Sequence, residues 1–145
     1  MIPPFDPNGN LPAGEYSCTW SEFENRYSTT THRIQLLTGL RLALADLKNA
    51  GCKTVWVNGS FISDKAQPND YDACWDSRDI DPDMLEPTLL DFAHPRSRMK
   101  RKYKGELFIA DVPATPYGET FLEFFQKDRD DNPKGILRLD LGGQP

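Results

Sequence analysis

The chain has no apolar run near the ~20 residues that a bilayer-spanning helix needs, and its opening Met1-Ile2-Pro3-Pro4-Phe5-Asp6 lacks the basic and apolar regions of a secretory leader. A protein off the membrane, cytoplasmic and unprocessed is expected. Cysteine is scarce: Cys18, Cys52 and Cys74 are odd in number and far apart, with no CxxC or Cys/His spacing. That pattern argues against a disulfide framework or a zinc site and suits a reducing compartment. Of only two histidines, His32 near the start of a predicted helix is read as a surface or capping residue without a role. Excess positive charge is also missing. Seventeen basic against twenty-two acidic residues leave a net charge of −5, which excludes a chain coated all over for nucleic acid but not a local basic patch. Internal repeats and low-complexity segments are absent as well.

What remains is a chain of 145 residues with 38% hydrophobic and 27% charged residues, a size and composition that favour one globular domain. Its proline- and glycine-rich start predicts an extended strap over residues 1–18. Thr19-Trp20-Ser21-Glu22 has capping-box form, and Trp20, Phe23 and Tyr27 fall on one stripe, so a helix is expected from 20 to 27. Ile34, Leu37, Leu40, Leu44 and Leu47 mark a second, amphipathic helix that begins at Thr31 and ends at Gly51. It leads straight into the β-rich run Lys53-Thr54-Val55-Trp56-Val57. Later segments predict a helical turn or short strand over 85–92, a strand over 105–112, a short helix around Phe121–Phe125, a turn over 130–135 and a last strand over 135–141. The expected architecture is α+β, a small mixed sheet flanked by helices.

The residues that carry chemistry converge on 55–76. A strand, a Gly59-Ser60 turn and a polar loop lead to a second strand bearing Asp70 and Asp72, whose side chains leave the same face. Two convergent carboxylates beside such a turn suit Mg2+ and the phosphates it escorts, because Mg2+ takes one or two protein carboxylates and fills its octahedron with water and phosphate oxygens. Nine acidic residues lie between 64 and 91 against Lys65 and Arg78, and the charge then reverses in residues 94–104, with Arg96, Arg98, Lys100, Arg101, Lys102 and Lys104. An acidic cluster and a cationic one facing each other across a cleft would seat a metal and phosphates together. The plainer reading makes Asp79, Asp81, Asp83 and Glu86 a solvated loop, and the basic run a solvated helix face.

Gly59-Ser60, nine intervening residues and Asp70-Tyr71-Asp72-Ala73, preceded by a helix and a strand, resemble the nucleotidyltransferase superfamily. Over nearly its full length the chain also resembles a family of short bacterial and phage proteins, through PPFDPNGNLPAG, GSFISDKAQPNDYDACWD, KYKGELF and FLEFFQKDRDDNPKGILRLDL. The first resemblance implies a nucleotidyltransferase-like fold in which Asp70 and Asp72 hold Mg2+ or Mn2+. Gly59, Ser60, Lys65, Lys100 and Lys102 would contact the phosphates of a nucleoside triphosphate. It also implies a third carboxylate that helps hold metal and activates an acceptor hydroxyl. Glu106 is preferred, with Asp111, Asp140 and Asp91 as alternatives. Asn58 departs from the pattern, which has an apolar or aromatic residue there. The implied activity is transfer of a nucleoside monophosphate to a protein or RNA hydroxyl, tRNA among them, in a toxin–antitoxin or phage-defence setting with a partner toxin or antitoxin. The alternatives are a non-catalytic binding or antitoxin module on the same fold and a metal-dependent nuclease.

Overall fold

A computed structural model describes residues 1–93, 96–128 and 130–143. Strand β1 (Gly14–Cys18) is followed by α1 (Trp20–Tyr27), α2 (Thr31–Asn49), β2 (Thr54–Asn58), β3 (Tyr71–Trp75), α3 (Ser97–Tyr103), β4 (Gly105–Ile109), α4 (Phe121–Phe124) and β5 (Gly135–Asp140). The five strands form one mixed sheet in the order β1-β5-β2-β3-β4. β1 runs parallel to β5 and β4 parallel to β3, while β2 is antiparallel to both β3 and β5. Consequently the end of β2 and the starts of β3, β4 and β5 lie along one rim of the sheet.

Local sequence sets the helix ends. Thr19 and Glu22 complete the capping box of α1, and the Thr30 side chain accepts from the Arg33 backbone at the start of α2. α2 stops in a Schellman arrangement: the Gly51 N–H reaches the Lys48 carbonyl, that of Cys52 reaches Leu47, and Gly51 takes the positive φ of 101° that such a stop requires. The buried stripe of α2 is Arg33, Leu36, Leu37, Leu40, Ala43, Leu44 and Leu47. Ile34, expected on that stripe, is 49% exposed. The helix is rotated so that Arg33 faces inward, for a reason that appears at the site.

Period-two alternation sorts the strands into two faces. Val55, Val57, Tyr71, Ala73, Trp75, Leu107, Leu137 and Leu139 pack in the main core with Phe23, Tyr27, Leu40, Leu47, Met99 and Tyr103 from the helices. Trp56, Cys74, Ala110 and Ile136 belong to a smaller cluster on the opposite face, covered by Phe125, with Phe108, Phe121 and Leu122 against it. The three cysteines are buried, and burial pushes the thiols up, that of Cys52 to about 11, so they serve as small apolar residues rather than nucleophiles.

The expected strap proves to be two things. Residues 1–13 are extended and turning, but Gly14–Cys18 is an edge strand in register with Gly135–Leu139. The segment 85–92 contains a single 3-10 turn, Pro87–Leu90, and the strand expected over 105–112 ends at Ile109. Among the described residues no helix is long and apolar enough to cross a membrane.

Candidate functional site

The rim begins at Asn58, the last residue of β2, which pairs with Asp72 in the ladder. Gly59 turns the chain with a φ of 82°, and a Cβ added there would sit 3.2 Å from Asp72 Oδ2, so both backbone and space call for glycine. Ser60–Ile62 forms a 3-10 turn, and the loop onward to Asp70 is held by the helices below it. The buried Arg33 guanidinium donates to the carbonyls of Phe61 at 2.7 Å, Ser63 at 2.9 Å and Lys65 at 2.6 and 2.9 Å. Tyr27 Oη donates to the Ile62 carbonyl at 2.9 Å, Thr30 Oγ1 to Ala66 at 3.1 Å, and His32 Nε2 meets the Pro68 carbonyl. His32, expected to have no role, thus helps to hold the loop.

Across the rim, Asp72 and Glu106 are register partners on parallel strands. Asp72 has the parity of Cys74 and Glu106 that of Phe108, so both face the smaller cluster. Asp70 immediately precedes β3, two residues from Asp72. Burial, then the neighbouring Asp70 and Glu106 carboxylates, raises Asp72 from an ordinary 3.8 to about 6, against the pull of Lys134 and Lys100. Asp70 is raised by burial and next by Glu106, with Lys100 opposing. Asp72 thus feels both Asp70 and Glu106, and Asp70 feels Glu106.

Their cations are unevenly shared. Glu106 is bound by Arg96 Nε at 2.5 Å and approached by Lys100 Nζ at 3.5 Å. Asp70 and Asp72 have no ion pair within 4 Å among the described residues. Lys134, at the turn into β5, is half-buried; desolvation lowers its ammonium while Asp72 and Asp128 hold it up. It likewise makes no ion pair within 4 Å among the described residues. Asn58 is buried, with Nδ2 donating to the Phe125 carbonyl at 3.4 Å and Oδ1 without a partner. An orphaned buried carbonyl oxygen costs about 1–3 kcal/mol unless a donor or cation reaches it.

Beside the carboxylates opens a polar cleft of about 520 Å3 lined by Gly59, Ser60, Ser63, Lys65 and Lys134 and walled by Asn8 and Asn10 of the N-terminal segment. That wall is tied to the loop where the Asp64 N–H donates to the Gly9 carbonyl at 2.9 Å. The structure therefore gathers Gly59, Ser60 and Lys65 in this cleft, whereas Asp70, Asp72, Glu106 and Lys100 do not line it; Asp72 lies against Gly59, and Lys100 reaches Glu106 on β4. Lys102 is not gathered there: it pairs with Glu86 at 3.3 Å and Asp46 at 3.9 Å on the α2 side of α3. Of the other acids, Asp111 accepts from Ser77 Oγ, Asp140 pairs with Arg138 and Asp91 with Arg98.

Three residues at the rim went unselected in the sequence. Arg33 was not singled out in the sequence; its one signal there is a charge directly before Ile34 of the apolar stripe. Lys134 lay in a predicted turn. Asn58 stood out only as a departure from the expected apolar residue.

Among the described residues, no three His, Cys, Asp or Glu side chains stand close enough to form a ready metal cage. The oxygen donors left without a close cation at the rim are two carboxylates and the amide oxygen of Asn58, the register partner of Asp72, all hard ligands of the kind Mg2+ takes, and the nearby cleft is lined by Asp6 and Asp128 as well as by Lys65 and Lys134. The chain belongs to a family of unknown function, DUF6932, which matches it over residues 3–140. No curated protein and no solved structure matches it.

Proposed function

We propose that the rim is a nucleotidyl-transfer centre on a nucleotidyltransferase-like fold, moving a nucleoside monophosphate from a nucleoside triphosphate to a protein or RNA hydroxyl. The observation that supports this reading is the register pairing of Asp72 with Glu106 at the rim, where the charges of Asp70 and Glu106 both raise Asp72 and the Asp72 carboxylate lies against the Gly59 turn. Asp70 and Asp72 would hold Mg2+ or Mn2+, with Asn58 Oδ1 as a further oxygen nearby. When bound, the ion offsets the charge that develops on the phosphate oxygens.

The chain's own groups do the rest. Backbone N–H groups of the Gly59-Ser60 turn, the Ser60 hydroxyl, Lys65 and Lys134 bind and orient the triphosphate. Arg33, Tyr27, Thr30 and His32 keep that loop from moving, which matters because phosphoryl chemistry depends mainly on positioning. The acceptor oxygen forms a bond to the α-phosphorus, the bond from that phosphorus to the β-phosphate oxygen breaks, and pyrophosphate leaves with the electron pair. The acceptor proton passes to a carboxylate of the cluster, Glu106 by position. A toxin–antitoxin or phage-defence role in the cytoplasm, with a partner toxin or antitoxin, is the setting proposed with this activity.

Incubation with each α-labelled triphosphate, Mg2+ or Mn2+, and cellular RNA or protein tests it. Label transfer that falls to background in Asp70→Ala/Asp72→Ala with the fold intact is the expected result, and transfer that survives in that variant sinks the proposal. A second reading, a binding or antitoxin module without catalysis, is favoured by the Arg96 and Lys100 pairs that hold Glu106. Thermal melting separates the two: a triphosphate at a hundredfold over its Kd adds about 2.7 kcal/mol to a native state that binds it. No shift with any triphosphate, together with no transfer, leaves the module.

A further inference from the structure

A second cleft, of about 240 Å3, opens beside β4 and is lined by Phe92, Arg96, Phe108, Ile109, Val112 and Phe121. Its chemistry is unlike that of the polar cleft. Three phenyl rings lie nearly parallel, Phe92 to Phe108 at 6.3 Å and 8°, Phe108 to Phe121 at 4.5 Å and 13°. The Arg96 guanidinium sits 5.3 Å over the Phe108 ring centre while it holds Glu106. Phe108 follows Glu106 by two residues on the same face of β4, so the ring shelf adjoins the carboxylates. Phe92 is 37% exposed, and Arg98 and Arg101 project into solvent from the helix that follows Arg96.

Flat rings and a stacked guanidinium bind nucleobases by their faces, and exposed arginines bind the phosphates between them. The polar cleft and the aromatic cleft share no lining residue and lie on opposite sides of the carboxylates, toward β2 and β5 in one case and at β4 in the other. Phosphoryl transfer places attacking and leaving oxygens in line across the phosphorus. With pyrophosphate leaving on the Gly59-Ser60 side, the acceptor enters from the β4 side.

We propose that the acceptor is single-stranded RNA, its terminal base stacked on the partly exposed Phe92 ring at the mouth of this cleft, beside Arg96, and its phosphates along Arg98 and Arg101. The direction of entry rests on the nucleotidyl-transfer reading; the shelf and its arginines do not. The terminal ribose hydroxyl forms the new bond to the α-phosphorus, its proton goes to the carboxylate cluster, and pyrophosphate departs, which leaves the RNA one nucleotide longer.

The test is fluorescence anisotropy of a short labelled single-stranded RNA, without triphosphate, against the full chain and its variants. Wild type should bind, and Phe92→Ala, at an exposed position that does not endanger the fold, should weaken binding about tenfold, the order of one lost base–ring stack. Arg96→Gln should weaken it as well. Absence of RNA binding by wild type, or equal binding by Phe92→Ala, overturns the proposal. So does a Phe92→Ala variant that keeps RNA affinity but loses triphosphate affinity, since the shelf would then hold the triphosphate's own base. RNA binding that depends on Phe92 in a protein that transfers no label upholds this site while the transfer reading falls.

Discussion

The helix-covered face of the sheet and the face that carries the carboxylates are built from alternate residues of the same strands, yet they treat polar groups in opposite ways. On the covered face the buried cation, Arg33, donates to the carbonyls of Phe61, Ser63 and Lys65 and lies 4.8 Å over the Phe61 ring. On the other face Asp72 is raised by burial and by its own neighbours, Asn58 Oδ1 has no partner, and Lys134 is half-buried without an ion pair among the described residues. Rigidity is concentrated on one side and electrostatic tension on the other. A site that must hold a loop still while it leaves charge available for a ligand needs both, and short strands supply both through the two-residue alternation of their side chains.

The comparison breaks most severely at Arg33. Arg33→Ala removes the donor of three carbonyls and opens a cavity, and a loss of about 3–5 kcal/mol of stability is expected by urea denaturation, with faster amide exchange over 59–69. A loss under about 1 kcal/mol would show that the loop holds itself.

Next in size is Asp72→Asn, which should stabilise the protein. The folded carboxyl titrates at about 6 and the unfolded one near 3.8, so between these values the folded state binds more protons and stability falls as pH rises. Below 3.8 both states are protonated and the penalty is absent; above 6 it is fully present, up to about 3 kcal/mol. Thermal melts of wild type and Asp72→Asn should therefore differ most above pH 7 and converge by about pH 4. A constant difference across that range would remove Asp72 from the charged cluster.

The smallest effect sharpens the picture. Glu106→Gln takes away one of the charges that raise Asp72, so the Asp72 midpoint, followed by carboxyl NMR, should move down, with a stability change of only about 1 kcal/mol because partly exposed pairs contribute little. An unmoved midpoint would separate Glu106 from the pair.

Much of this was legible in the sequence where local chemistry decides. Thr19 with Glu22, Gly51 after the Leu47 stripe, and the two-residue spacing of Asp70 and Asp72 each determine geometry within a few residues. What was hidden depends on partners distant in the chain. Gly14–Cys18 shows no apolar alternation, so only its register with β5 identifies it as a strand. Arg33 takes the inward place expected for Ile34 because the loop carbonyls need a donor more than the core needs one further isoleucine. Lys100 and Lys102, both selected from the basic run, are about 200° apart around a helix, so only one can face the rim. The sequence contains both lysines but not the rotation of α3.

The pairing of β1 with β5 has a consequence for the order of events during synthesis. Residues 14 and 135 are about 120 positions apart, and the cost of joining them is a long loop closure that no nearby contact can offset. The β2–β3 hairpin with its aspartates emerges from the ribosome early, together with the helices that hold its loop. The polar cleft must wait, because Lys134 and Gly135, which line it, are made at the start of the final strand. A nascent chain thus carries Asp70 and Asp72 long before the cleft near them is complete.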